Sequence, residues 1–129
     1  MPSAMSSGTP SSGLAPRVVV LLAGLIGAAG VAMAAAATHM GGALLGPASA
    51  MCLAHAPALL ALHAGRRSIR TATAAALLMG LGAILFAGDL ASKQFLGFGL
   101  LPMAAPTGGM LMIAGWLVAG AGAFFRSDS

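Results

Sequence analysis

Charge is what this sequence has least of. Its 129 residues include six Lys and Arg and two Asp and Glu, so charged side chains make up 6%, against about 25% in a soluble domain. Tyr is absent, Trp occurs once and Cys occurs once. A single Cys excludes an internal disulfide and hence a disulfide scaffold. Hydrophobic residues reach 59%, with 19 Gly besides. A water-soluble fold this small must cover most of its surface with polar groups. This composition excludes a soluble enzyme domain, a nucleic-acid module and a wholly disordered chain. An integral membrane protein remains.

The positions of the charges divide the chain. No Asp, Glu, Lys or Arg occurs from Val18 to Gly65, from Thr71 to Gly88 or from Gln94 to Phe125, runs of 48, 18 and 32 residues. About 20 apolar residues are needed for a helix to cross ~30 Å of hydrocarbon. The first run is long enough for two crossings, with Gly41-Gly42 and Gly46-Pro47 marking the turn between them. Each of the others holds one. Runs such as Val18–Leu22 and Ala74–Leu78 lack the alternation of a membrane β-strand. The expected fold is therefore all-α, an integral membrane four-helix bundle over residues 17–126, with helices near 18–39, 48–64, 71–90 and 105–125.

Residues 1–16 are rich in Ser, Thr, Pro and Gly and carry no charge, which predicts a disordered polar tail. The rival reading is a cleaved secretory signal with Arg17, an apolar Val18–Val31 segment and a small-residue site at Ala32-Met33-Ala34. Residues 127–129 form a short tail. Lys and Arg beside membrane helices are retained on the cytoplasmic side. Arg17, Arg66, Arg67, Arg70 and Arg126 fall on one side of the four spans and Lys93 alone on the other. Five against one predicts both termini in the cytoplasm, and a bacterial inner membrane as the location. The pI of about 11.4 reflects the scarcity of acids, so no nucleic-acid partner is expected. Arg66, Arg67 and Arg70 serve as an orientation signal or as contacts to anionic lipid head groups.

Inside lipid, helices associate through close approach at small residues. Gly24 with Ala28, Gly27 with Gly30 and Ala34, Gly80 with Gly88, and Gly115 with Ala119 and Ala123 have the required spacing. Gly108 and Gly109 follow Pro106, where a new helix either exposes N–H groups to an anion or begins on Pro and packs closely. Trp116 lies mid-span, which predicts packing between helices with its N–H bonded.

Several of these segments carry a resemblance. GLIGAAGVAMAAAATHM (24–40), AMCLAHAPALLAL (50–62) and GAILFAGDLASKQFLGFGLLPMAAPTGGMLMIAGWL (82–117) resemble the small four-helix membrane family known as domain of unknown function 423. That family includes YgdD-like bacterial proteins and is similar to eukaryotic transmembrane protein 256. The most specific element is Phe86-Ala87-Gly88-Asp89-Leu90, followed by Pro106, Gly108, Gly109, Gly115 and Trp116. The family's helix-1 and helix-2 histidines map onto His39 and His55. The resemblance implies fold and membrane location. It implies no reaction, because the family has no established activity.

Ionisable groups within a membrane call for a function or a partner. His39, His55, Asp89 and Lys93 all fall in the outer half of the expected bundle. In one reading His55 pairs with Asp89 inside the bundle, forming a polar cluster that relays protons or holds a polar ligand. In the other, His55 bonds a neighbouring helix and Asp89 pairs with Lys93 at i, i+4 spacing. Pro57 frees the Leu53 carbonyl beside His55, which offers the imidazole an acceptor. His39, Met40, Met51, Cys52 and His55 gather soft ligands, yet Met-x-x-Met and Cys-x-x-Cys spacings are missing, so no metal or cofactor is assigned. No motif of hydrolytic, zinc-dependent or phosphate-binding chemistry occurs. The expectation is a non-enzymatic structural or accessory membrane component. Its partners are the lipid bilayer and either further copies or a larger complex. The alternative is a small oligomeric transporter or channel built around His55 and Asp89.

Overall fold

The computed structural model describes residues 13–125. Residues 1–12 of the expected tail (1–16), Arg126 and residues 127–129 lie outside them. Four helices follow one another: α1 (Leu14–Met40), α2 (Leu45–Ala64), α3 (Ala72–Leu96) and α4 (Ala104–Ala121), the last closed by a 3₁₀ turn at Gly122–Phe124. No strand occurs among the described residues. All four helices are long and apolar enough to cross a membrane, and in such a solvent helices satisfy every backbone group internally.

The ends differ from the sequence expectations for identifiable reasons. α1 starts at Leu14 rather than 18, so residues 14–16 of the expected tail are helical. α2 starts at Leu45, so Gly46-Pro47 belongs to the helix and the turn is residues 41–44. Pro16, Pro47 and Pro106 each stand third in their helices. The N–H groups of a first turn have no intrahelical acceptor, so proline loses nothing there. α3 runs to Leu96, past Asp89 and Lys93, rather than stopping at 90.

α1–α2 and α3–α4 form two hairpins that meet along α2 and α3, and α3 also reaches α1. α3 thus touches all three other helices, and its residues explain why. Its buried face is Ala72, Ala75, Ala76, Met79, Gly80, Gly82, Ala83 and Ala87, nearly all with side chains no larger than methyl. Such a thin helix lets three neighbours approach, which is how association proceeds where lipid removes the hydrophobic drive. Leu45, Leu59, Met79 and Val19 are the largest fully buried apolar side chains of the core. Large exposed residues such as Leu21, Leu25, Met110, Ile113 and Leu117 face outward, as a lipid solvent requires.

The tightest crossing is α3 on α4. A Cβ placed on Gly82 would lie 2.6 Å from the Gly108 carbonyl oxygen, and one on Gly108 would lie 2.6 Å from the Phe86 backbone nitrogen. Gly115 repeats the arrangement two turns on, where a Cβ would lie 2.5 Å from Met79 Cγ and 3.0 Å from the Ala75 oxygen. On the α1–α2 face Gly30 packs closely, with a Cβ there 2.9 Å from the Leu53 side chain, whereas one on Gly27 would make an ordinary 3.4 Å contact with Ala56. Of the small-residue positions expected to pack, Gly24 faces open space instead.

Gly108 and Gly109 therefore separate packing from propensity. Gly108→Ala should lower the unfolding free energy in detergent by about 1–3 kcal/mol, because backbone rather than a flexible side chain must yield. Gly109→Ala, where a Cβ meets nothing within 4 Å, should be neutral or stabilising by up to ~1 kcal/mol. Equal effects in parallel thermal unfolding would refute the close crossing.

Candidate functional site

The buried polar residues other than Ser49 fall into two separate groups rather than one. The first is at mid-span. His55 is the eleventh residue of α2, so it lies about 15 Å from the start of the helix at 1.5 Å per residue. It is buried. Its Nε2 is 3.1 Å from Trp116 Nε1 on α4. Indole N–H can only donate, so Nε2 accepts and the imidazole proton sits on Nδ1. That N–H donates to the Met51 carbonyl at 2.7 Å. The acceptor is the carbonyl one turn back, not the Leu53 carbonyl that Pro57 frees, because helical side chains lean toward the N-terminus over the i−4 turn. The two rings meet edge to face with centroids 5.9 Å apart, a favourable aromatic geometry. Both imidazole nitrogens are thereby committed. Trp116 bonds as its mid-span position suggested, yet it stays 52% exposed, so its ring lies at the bundle surface, bonded to α2, rather than filling the core.

The second group is at the end of the bundle that carries Lys93. Asp89 is 1% exposed. Its Oδ2 is 2.9 Å from Lys93 Nζ, one turn on. Its Oδ1 accepts the Leu100 backbone N–H at 2.9 Å, and the Ala105 amide in the first turn of α4 adds to the field at the carboxylate. Ser92 Oγ donates to the Phe98 carbonyl at 2.6 Å. Asp89 and Ser92, three residues apart on one helical face, thus hold the 97–103 loop. Gly99 passes directly over the ion pair, where a Cβ would stand 2.6 Å from Asp89 Oδ1 and 3.0 Å from Lys93 Cε. Gly88 packs under Leu100. The constraint continues into α4, which has no side-chain N-cap and starts from Met103 in the left-handed region at φ 66°. A non-Gly residue persists there only when its surroundings fix it. The carboxylate supplies part of that hold, placed where the positive end of the α4 dipole favours an anion.

The structure brings Asp89 and Lys93 together. It gives His55 and Asp89 different partners and no bond to each other. His39 is exposed in the last turn of α1. Arg66 donates to the His63 carbonyl at 2.7 Å and closes the end of α2, while Arg67 is exposed. Among the described residues, no three His, Cys, Asp or Glu gather as a metal-sized group. Sequence reasoning did not single out Ser49, whose hydroxyl donates to the Gly30 carbonyl at 2.7 Å and ties α2 to α1, nor Ser92, nor Gly82. Ser92 carried a signal in its i+3 spacing from Asp89. Gly82 carried none against so many glycines.

Residues 23–109 match the family described as Protein of unknown function (DUF423). The chain belongs to this family. The matched stretch holds His39, His55, Gly88, Asp89, Lys93, Pro106, Gly108 and Gly109, and ends before Gly115 and Trp116. DUF423 membership thus covers the Asp89 group and the Gly82–Gly108 crossing but only the His55 half of the mid-span pair. No curated protein matches the chain, and no solved structure does.

Two expectations follow. Trp116→Phe should lower stability by about 0.6 kcal/mol, with an upper bound near 1.7, and a double-mutant cycle with His55→Ala should return a coupling of that size. Additive losses would mean that the pair is not formed. In the second group, Asp89→Asn keeps an acceptor for the Leu100 N–H while Asp89→Leu keeps none. Thermal midpoint and resistance of the 97–103 loop to protease should fall in the order wild type, Asn, Leu.

Proposed function

We propose that this DUF423 protein is a structural or accessory component of the bacterial inner membrane, non-enzymatic, with both termini cytoplasmic. The observation that carries the reading is the full commitment of His55: one nitrogen to Met51 and the other to Trp116. A proton relay or ligand site needs a polar group with capacity to spare. Here the four polar residues that are buried join elements to one another: Ser49 to α1, His55 to α4, and Asp89 with Ser92 to the loop before α4. What the protein then offers its surroundings is an apolar exterior and two polar rims. Such an exterior suits packing against lipid, against further copies or within a larger complex. The basic excess on one rim, five residues against one, supports the orientation.

Gentle extraction from the native membrane followed by native mass spectrometry tests the role. The expected result is a stoichiometric partner protein, or a homo-oligomer that shows no ion or solute flux in liposomes. Selective flux through the purified protein, abolished by His55→Gln, would overturn the reading in favour of transport. Orientation has its own check. A C-terminal fluorescent fusion should fold and glow, whereas a C-terminal alkaline phosphatase fusion should be inactive.

A further inference from the structure

At the Arg-bearing end, the α2–α3 loop and the end of α4 flank a shallow, open cleft of about 550 Å³ that the proposed role does not use. Ser68 and Ile69 line one side, and Ala119, Gly120, Gly122 and Phe125 line the other. Its walls are of two kinds. The Ser68 hydroxyl and the backbone of the glycine-containing turn are polar, while Ile69, Ala119 and Phe125 are apolar. The occupant it suits is therefore amphipathic.

No charged side chain lines the cleft, and the charges that flank it in sequence among the described residues are all basic. Ser68 and Ile69 lie between Arg66-Arg67 and Arg70 in sequence, and Arg17 in the first turns of α1 belongs to the same end. Asp89, the only acid among the described residues, lies at the opposite end of the bundle. An occupant should thus be anionic as well as amphipathic. The level is also defined, because α2 and α4 end here and α3 begins, which is where apolar spans give way to head groups.

Two glycines shape the opening differently. A Cβ on Gly122 would stand 2.7 Å from Ile69 Cγ2 and 2.7 Å from Thr71 Oγ1, so this residue holds the loop tight against the turn. A Cβ on Gly120 would meet nothing within 4 Å, so the space beside it is empty. We propose that this cleft binds the head group of an anionic phospholipid. The phosphate lies toward the basic loop, and the glycerol and first acyl carbons lie against Ile69 and Phe125.

Native mass spectrometry of the full-length protein, titrated in detergent with phosphatidylglycerol and separately with phosphatidylcholine, tests the proposal. One phosphatidylglycerol per chain should bind at least tenfold more tightly than phosphatidylcholine. Arg67→Gln should weaken it about fivefold, as one basic residue near a membrane surface does. Gly120→Leu starts its side chain from a Cβ position with nothing within 4 Å, at the edge of the cleft. It should reduce binding tenfold or more while helix content and thermal midpoint stay at wild-type values. Equal affinity for the two lipids would overturn the proposal, as would full phosphatidylglycerol binding by a folded Gly120→Leu protein. Displacement of the lipid by millimolar inorganic phosphate would also overturn it, since the site would then recognise an anion alone.

Discussion

The constraint on which this structure depends is that lipid offers no hydrogen bonds. Every donor and acceptor within the hydrocarbon must find a partner in the chain, at a cost of several kcal/mol where it does not. Helices answer this for the backbone. The few polar side chains must then be answered one at a time, and the bundle is arranged around those answers. Ser49 reaches across to the Gly30 carbonyl of α1, and Thr38 turns back onto the Ala34 carbonyl of its own helix. His55 uses both nitrogens, one within α2 and one across to α4. Asp89, the most costly group, receives a cation, a backbone N–H and the first turn of α4 together.

Lys93 shows how a charge pair is tolerated in this position. Asp89 is almost fully enclosed, while Lys93 is 46% exposed. The carboxylate meets its cation at the boundary, and the ammonium stays hydrated at the end of a flexible stem. The arrangement spares the desolvation of two ions and needs only one enclosed oxygen pair to be satisfied. The same boundary position explains why α3 extends through two charges that the sequence reading treated as its end.

Four spans were legible because apolar run length relative to bilayer thickness is a property of sequence alone, and the basic asymmetry is equally local. Helix ends were less legible. Pro16 and Pro47 look like breakers until they are seen to occupy first turns, where a missing N–H costs nothing. The i, i+4 pair of Asp89 and Lys93 was readable from spacing, whereas the partner of His55 was not. A count of polar residues points to Asp89, but partners across helices depend on rotation and depth, and these are set by which small residues come into contact. The Gly82–Gly108 crossing sets that rotation for α4, and in a chain with 19 Gly spacing alone cannot reveal it. Membership in DUF423 left the pairing to geometry.

Close packing and polar bonding consequently divide the work. An Ala- and Gly-lined seam brings helices together, and it resists slippage only where Gly82, Gly108 and Gly115 leave no room for a side chain. Directional bonds add to that resistance. Sliding α4 by one turn, about 5.4 Å, would carry the Trp116 N–H out of reach of His55 and pull the loop amide of Leu100 off Asp89. It would also set residues with side chains against Gly82 and Met79. The mid-span bond and the loop clamp therefore hold one register from two heights on α4, more than ten residues apart. Neither contributes much energy in lipid, where polar contacts average well under 1 kcal/mol, but a register needs only a difference between alternatives. This resembles the way one buried polar residue fixes the alignment of a coiled coil. It gives His55 and Asp89 a physical reason to lie inside an apolar bundle: they help to fix one arrangement.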